Sequence, residues 1–145
     1  MNESISTSSA PKPVGSYPHA RRVGNLLFLS GVGPRVAGSG DKDLVVPGLE
    51  ISPEGKVLKF DFEKQVHAVF ANVKSILEAS GSSWEELVDI TVFLVNMSRD
   101  FETFNRVYAD YFAHLGENRP CRTTVEINCL PTPIAIELKC TATVQ

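Results

Sequence analysis

Two helix-length apolar stripes and several short runs rich in β-branched residues predict an α+β domain with two helices packed on one face of a mixed sheet. The elements follow one another as strands, helix, strand, helix, strand, strand. The chain has 145 residues, enough for one ordinary core and too few for two. Its 43% apolar and 21% charged residues match globular averages, so a packed domain is expected. No internal repeat is visible.

Residues 1–14 are polar and Ser-rich and read as a flexible N-terminal tail, with a single domain over 15–145. Asn25 to Val32 is too short for a helix and reads as a strand buried on both faces. Residues 35–55 carry Gly38, Gly40, Pro47, Gly48, Pro53 and Gly55, hence loop with at most one weak strand. Lys56 to Phe60 follows a Pro-Glu-Gly turn as a short strand. From Phe62 to Ser80, Phe62, Val66, Val69, Phe70, Val73, Ile76 and Leu77 form one helical stripe, with Asp61 as N-cap and Gly81 as the stop. Ser83-Trp-Glu-Glu86 has capping-box spacing and predicts one further turn. Val88 to Val95 is nearly continuous and reads as a buried strand. A second helix is expected from Arg99 to Ala113, capped by Ser98, with Phe101, Phe104, Tyr108 and Phe112 on one face. Arg122 to Leu130 and Ile134 to Val144 alternate as strands around Pro131-Thr-Pro133.

Composition narrows the function. A net charge of −3 argues against a general nucleic-acid binder. No apolar stretch reaches membrane-span length, and the N-terminus lacks the pattern of a secretory signal. Three cysteines without a CxxC pair point away from a disulfide framework and toward a reducing cytoplasm. His19, His67 and His114 lie too far apart for a dedicated metal motif, so no metal site is expected from the spacing. Neither GxGxxG, GxxxxGK[ST] nor GxSxG occurs, and Gly31-Val-Gly33 alone carries no phosphate-binding signal.

Chemistry must then come from scattered polar residues. Arg122 opens a strand, where a rigid backbone suits bidentate carboxylate binding, although a plain surface ion pair is the commoner use of an Arg. Glu137 lies mid-strand among Ile134, Ile136 and Leu138, where partial burial would raise its pKa and fit it to orient water or move a proton. The alternative is a cross-strand pair. Asn105 falls inside an apolar helical stripe and needs partners, in a ligand or in the chain itself. Tyr17 could close over a ligand or simply anchor the chain. Cys121 has no His nearby in sequence and reads as an inert thiol, while Cys129 and Cys140 read as core. His67 reads as structural or solvated, and Arg21-Arg22 as a small basic cluster.

If the last two strands formed a hairpin, Asn128 would face Glu137 and Arg122 would lie roughly 20 Å further along. One small substrate does not span that. Either the pairing is not a simple hairpin, or Arg122 and Glu137 meet across a subunit boundary in a symmetric oligomer.

Gly15-Ser-Tyr17, Leu29-Ser-Gly31, Asn105-x-x-Tyr108 with Tyr111-Phe112, Pro120-Cys-Arg122, and Leu130-Pro131 followed by Ile136-Glu137 together resemble the reactive-intermediate deaminase (RidA/YjgF-like) family, from Gly15 to Val144. Tyr17-Pro-His-Ala-Arg-Arg22, Ser30-Gly-Val-Gly-Pro-Arg35, Pro120-Cys-Arg-Thr-Thr-Val-Glu126 and Leu130-Pro-Thr-Pro-Ile-Ala-Ile-Glu137 are similar to its 2-aminomuconate deaminases. The resemblance implies a chorismate-mutase-like sheet assembling as a homotrimer, or a hexamer of paired trimers, with clefts between subunits. It implies a small imine or enamine carboxylate as the partner and neither metal nor cofactor. It assigns Arg122 to the carboxylate and Glu137 to a water, and it places Tyr17, Gly31, Asn105 and Thr124 along the pocket. Many relatives carry a Cys where Thr124 stands, so no thiol acts at that position here. The implied reaction is hydrolytic deamination of 2-aminomuconate to 2-hydroxymuconate and ammonia. The alternatives are a broad 2-iminoacid deaminase and a non-catalytic ligand-binding or RNA-acting protein. A dicarboxylate needs a second cation, for which Arg21, Arg22, Arg35 and Lys139 are candidates.

Overall fold

The computed structural model describes residues 2–38 and 45–145. Six strands form one mixed sheet in the order β1-β2-β3-β8-β6-β7, and β4 and β5 form a separate ribbon. The strands are β1 (Asn2–Ile5), β2 (Ala20–Val23), β3 (Leu26–Leu29), β4 (Leu49–Ile51), β5 (Val57–Phe60), β6 (Leu87–Leu94), β7 (Cys121–Glu126) and β8 (Ile136–Thr143). The helices are α1 (Phe62–Ala79) and α2 (Met97–Phe112), with short 3₁₀ turns at Trp84–Glu86 and Ala113–Leu115. Among the described residues only the β6–β7 pair is parallel; the other pairs are antiparallel. The α+β architecture expected from the sequence is the one observed. Gly40 of the expected loop lies outside the described residues.

The helix α1 keeps its expected start, because the Asp61 side chain accepts from the Lys64 backbone N–H at 3.2 Å. Its apolar stripe is buried from Phe62 to Leu77. The helix α2 begins earlier than expected. Asn96, not Ser98, is the cap, its side chain accepting from the Arg99 N–H at 3.1 Å. Both residue types cap helices, and the one nearer the end of β6 wins. Phe70 joins the two helices at the centre of an aromatic cluster, with Tyr111 at 4.6 Å, Trp84 at 5.4 Å and Phe104 at 6.0 Å between ring centroids. Phe70→Ala is expected to cost about 3–5 kcal/mol, read as a fall in the denaturation midpoint.

Four strand expectations are corrected. The strand β3 is not buried on both faces: Leu27 and Leu29 are buried, while Leu26 and Phe28 are exposed. The strand β6 alternates in the same way, with Ile90, Val92 and Leu94 inside. Both strands bury one face against the helices and leave the other open. The strand β7 ends at Glu126, and Cys129 beyond it is exposed rather than core. The strand β8 starts at Ile136 instead of Ile134.

The residues expected to form a tail are tied down. Asn2–Ile5 pairs with β2, and Ile5 is buried opposite Ala20. The segment after it is pinned by His19, whose Nδ1 accepts from the Thr7 N–H at 3.1 Å and whose Nε2 donates to the Pro11 carbonyl at 2.7 Å. Those two bonds fix one tautomer of the ring. Ala10 is buried beneath this strap. A polar strand with one inward apolar residue has too weak a period to read from sequence.

Candidate functional site

The pairing of the last strands decides where Arg122 and Glu137 lie. The strands β7 and β8 do not form a hairpin; β6 runs between them. Arg122 pairs with Ile90, which pairs with Cys140. Ile90 and Cys140 are buried under the helices, so this row, with Arg122 in it, points to the helix face. Thr124 lies in the next row on that face, beside Val92 and Leu138. Glu137 pairs with Phe93, which pairs with Val125. Val125 is exposed, so Glu137 lies on the open face. Arg122 and Glu137 therefore sit on opposite faces of one sheet.

On the helix face, α2 meets the edge strand β7. The Arg122 guanidinium donates to Asn105 Oδ1 at 2.8 Å. It also lies 4.8 Å from the Tyr108 ring centroid and 5.4 Å from that of Phe104. The polar amide in the apolar stripe thus has its partner, and its partner is the candidate anchor. One amide oxygen takes one guanidinium hydrogen, which leaves donors for a carboxylate. Two hydroxyls nearby, Thr124 Oγ1 and Tyr108 Oη, are buried without a hydrogen-bond partner among the described residues. Burial pushes the Tyr108 phenol above its ordinary pKa, against the pull of Arg122, so it stays a protonated donor.

On the open face, Glu137 lies against Gly31. A Cβ at position 31 would overlap Glu137 Oε1 and stand 2.9 Å from its Cδ. Gly31 is therefore required by the approach of the carboxylate, not by its own backbone angles. Burial raises the Glu137 pKa, and the Arg35 charge offsets part of that rise. Gly31→Ala is expected to fold normally, since a carboxylate tip can swing aside, and to lower turnover about 10²-fold through the displaced Glu137. Circular dichroism beside an activity assay separates the two effects.

Backbone bonds hold this corner. Val32 and Leu138 exchange hydrogen bonds at 2.8 and 2.9 Å, and Ser30 Oγ donates to the Pro18 carbonyl at 2.7 Å. Tyr17, Ser30, Gly31 and Arg35 line a small cavity of about 40 Å³ behind Gly31. Arg35 is nearly buried there and donates to the Lys12 carbonyl at 2.7 Å. Tyr17 is exposed at its mouth.

Two positioning residues escaped the sequence reading. Asn72 of α1 donates to the Gly33 and Arg35 carbonyls at 2.9 and 2.7 Å, fixing the loop after Gly31. Gln65, two turns earlier on the same face of α1, accepts from the Ala135 N–H at 2.9 Å, just before β8. Both are polar amides inside the apolar stripe of α1, the same signal that singled out Asn105.

The thiols stand apart from this chemistry. Cys140 is buried, its pKa pushed up to about 12 by burial. Cys121 is exposed and faces away from Arg122, in the row of Asp89 and Thr141. Among the described residues no cluster of three or more His, Cys, Asp and Glu could hold a metal ion, and no helix is long and apolar enough to cross a membrane.

The comparisons with known proteins agree with one another. A family model described as Endoribonuclease L-PSP matches residues 7–144. A RutC family protein of Pyrococcus horikoshii is 38% identical over 98% of this chain and 98% of its own. The Arabidopsis thaliana protein named Reactive Intermediate Deaminase A, chloroplastic, is 35% identical over 97% of this chain and 65% of its own. Among solved structures, E. coli TdcF with bound serine has a TM-score of 0.80 at 27% identity, covering 99% of each chain. The E. coli YjgF gene product has a TM-score of 0.79 at 29% identity, again over 99% of each chain. Matched along nearly its whole length in both sequence and fold, the chain belongs to the Endoribonuclease L-PSP family, that of the RidA/YjgF proteins.

Proposed function

We propose that the chain is a hydrolytic deaminase of imine and enamine carboxylates, acting in a homo-oligomer whose site is built from two chains. The observation that carries this reading is the placement of Arg122 and Glu137 on opposite faces of one sheet. Each half is incomplete alone: an anchor of Arg122, Asn105 and Thr124, and a water-handling corner of Glu137, Gly31 and Tyr17. The open face also exposes Leu26, Phe28 and Val125, an apolar surface suited to cover by a second copy. A chorismate-mutase-like homotrimer is the proposed assembly, since a cyclic arrangement brings the helix-side edge of one chain to the open face of the next.

In that site Arg122 binds the substrate carboxylate in its two-pronged fork. Glu137, as carboxylate, accepts a proton from a water beside Gly31, and the water oxygen bonds to the imine carbon. The resulting carbinolamine breaks its C–N bond. Glu137 passes the first proton to the imine nitrogen as the carbinolamine forms and carries the hydroxyl proton to the same nitrogen as the C–N bond breaks, so the nitrogen leaves as ammonia and the carbonyl remains. An imine is already electrophilic, so orientation and one acid/base group supply the catalysis.

The family model's description names an endoribonuclease, a chemistry that draws on free acid/base side chains. The three histidines are otherwise engaged: His19 with Thr7 and Pro11, His67 with the Tyr111 hydroxyl at 2.7 Å, and His114 with Glu85 at 3.1 Å. The net charge of −3 also counts against an RNA substrate, and deamination is the preferred reading.

The proposed substrate is 2-aminomuconate, giving 2-hydroxymuconate or its keto tautomer. Ammonia release from freshly generated 2-aminomuconate, run beside 2-iminobutanoate, tests both levels. Faster turnover of the muconate supports the full reading. Preference for iminobutanoate keeps the reaction and removes the substrate, and no ammonia from either removes the deaminase reading.

A further inference from the structure

Beside Gly31, on the open face, runs a groove of about 490 Å³ whose lining includes Tyr17, Arg21, Phe28, Ser30, Gly31 and Lys139. It carries two cations and no carboxylate. Strand register explains the pairing of charges. Arg21 pairs with Phe28, and Phe28 with Thr141, which places Arg21 on the open face in the row next to Lys139. Lys139 pairs with Thr91, two residues from Glu137 on the same face of β8.

The other two basic candidates are disposed of by the same geometry. Arg22 pairs with Leu27, whose side chain is buried, so Arg22 belongs to the helix face; its Nε donates to the Gly24 carbonyl at 2.8 Å. Arg35 is nearly buried behind Gly31, donates to the Lys12 carbonyl and is not part of the lining of this groove. Lys139 donates one hydrogen to the Leu29 carbonyl, which leaves two for a ligand. Among the described residues Arg21 has no ion-pair partner.

We propose that Arg21 and Lys139 form a second carboxylate subsite, making the chain selective for dicarboxylic over monocarboxylic substrates. This deepens the deaminase reading and rests on it for the placement of the first carboxylate at Arg122. The two aromatic residues suit the hydrocarbon between two carboxylates: Tyr17 and Phe28 present flat apolar faces while the cations take the end. A monocarboxylate reaching the same corner would leave both cations without an anion.

Binding of non-reactive acids tests the subsite without needing turnover. The probes are trans,trans-muconate and sorbate, which differ in one carboxylate against one methyl. Calorimetry on the wild-type oligomer is expected to show muconate bound about 10- to 100-fold more tightly than sorbate. In Arg21→Gln/Lys139→Met that ratio collapses toward one, and in Lys139→Arg it is largely kept. Both side chains are exposed, and circular dichroism verifies that the variants fold. Equal affinity of the two acids in the wild type, no binding of muconate, or an unchanged ratio in the double variant overturns the proposal. Tight, Lys139-dependent muconate binding without ammonia release from 2-aminomuconate would uphold the subsite and sink the deaminase reading.

Discussion

Glu137→Gln is expected to lower kcat by about 10²–10⁴-fold while leaving KM within a few-fold. The amide keeps the shape beside Gly31 and loses the ability to accept a proton. The same group sets the pH profile. Burial raises its pKa above the ordinary 4.5, with Arg35 pulling it partway back, so the acid limb of kcat/KM falls above that value. Activity rises with pH as Glu137 ionises. Its effect on stability has the opposite sign. A carboxyl with a raised pKa favours the fold while protonated, below the unfolded value, and that stability is lost as pH rises through the folded pKa. At neutral pH Glu137 therefore costs stability, and Glu137→Gln is expected to raise the Tm. The gain disappears in acid. A thermal scan at two pH values beside a kinetic profile reads all three effects.

Arg122→Ala is expected to reduce kcat/KM by about 10²–10³-fold, the loss of a two-pronged, charge-assisted contact to the substrate carboxylate. Arg122→Lys keeps the charge but loses the fork and recovers only part of the activity. The guanidinium is also held in place. Asn105 fixes one prong at 2.8 Å, and the Tyr108 ring supports its flat face. Asn105→Ala frees that prong, and a rise in KM larger than any fall in kcat is the signature of a positioning role. Unchanged kinetics in Arg122→Ala would remove the anchor.

How much of this was legible in the chain itself differs by element. The helix α1 was readable almost to the residue, because its period, its Asp61 cap and its Gly81 stop all agree. The helix α2 was readable except for its first turn, where Asn96 and Ser98 competed for the cap. The strand β1 was invisible, since three of its four residues are polar and exposed. Pairing was the deeper gap. Sequence separation made β7 and β8 look like a hairpin, whereas β6 and β8 bury matching apolar faces under the helices and so become neighbours, leaving β7 at the edge. That one insertion puts Arg122 and Glu137 on opposite faces. Alternation alone had grouped the side chains of each strand but not related one strand to the other.

The candidate site was legible where a residue broke a local rule. Asn105, a polar amide in an apolar stripe, turned out to hold Arg122. Gln65 and Asn72 broke the same rule in α1 and hold the two loops that flank Glu137. What Arg35 does was not legible, because its burial depends on a strap of chain that looked like a tail.

A mixing experiment addresses the two-chain site most directly. Arg122→Ala and Glu137→Gln protein, each inactive alone, are unfolded together, refolded as a 1:1 mixture and assayed for ammonia release. In a cyclic oligomer with one Arg122 and one Glu137 from adjacent chains at each site, about a quarter of the sites regain both native residues. Recovery of about a quarter of wild-type activity is the predicted result. No recovery, with mixed oligomers present by mass, would mean that both residues act within one chain and would contradict the shared site.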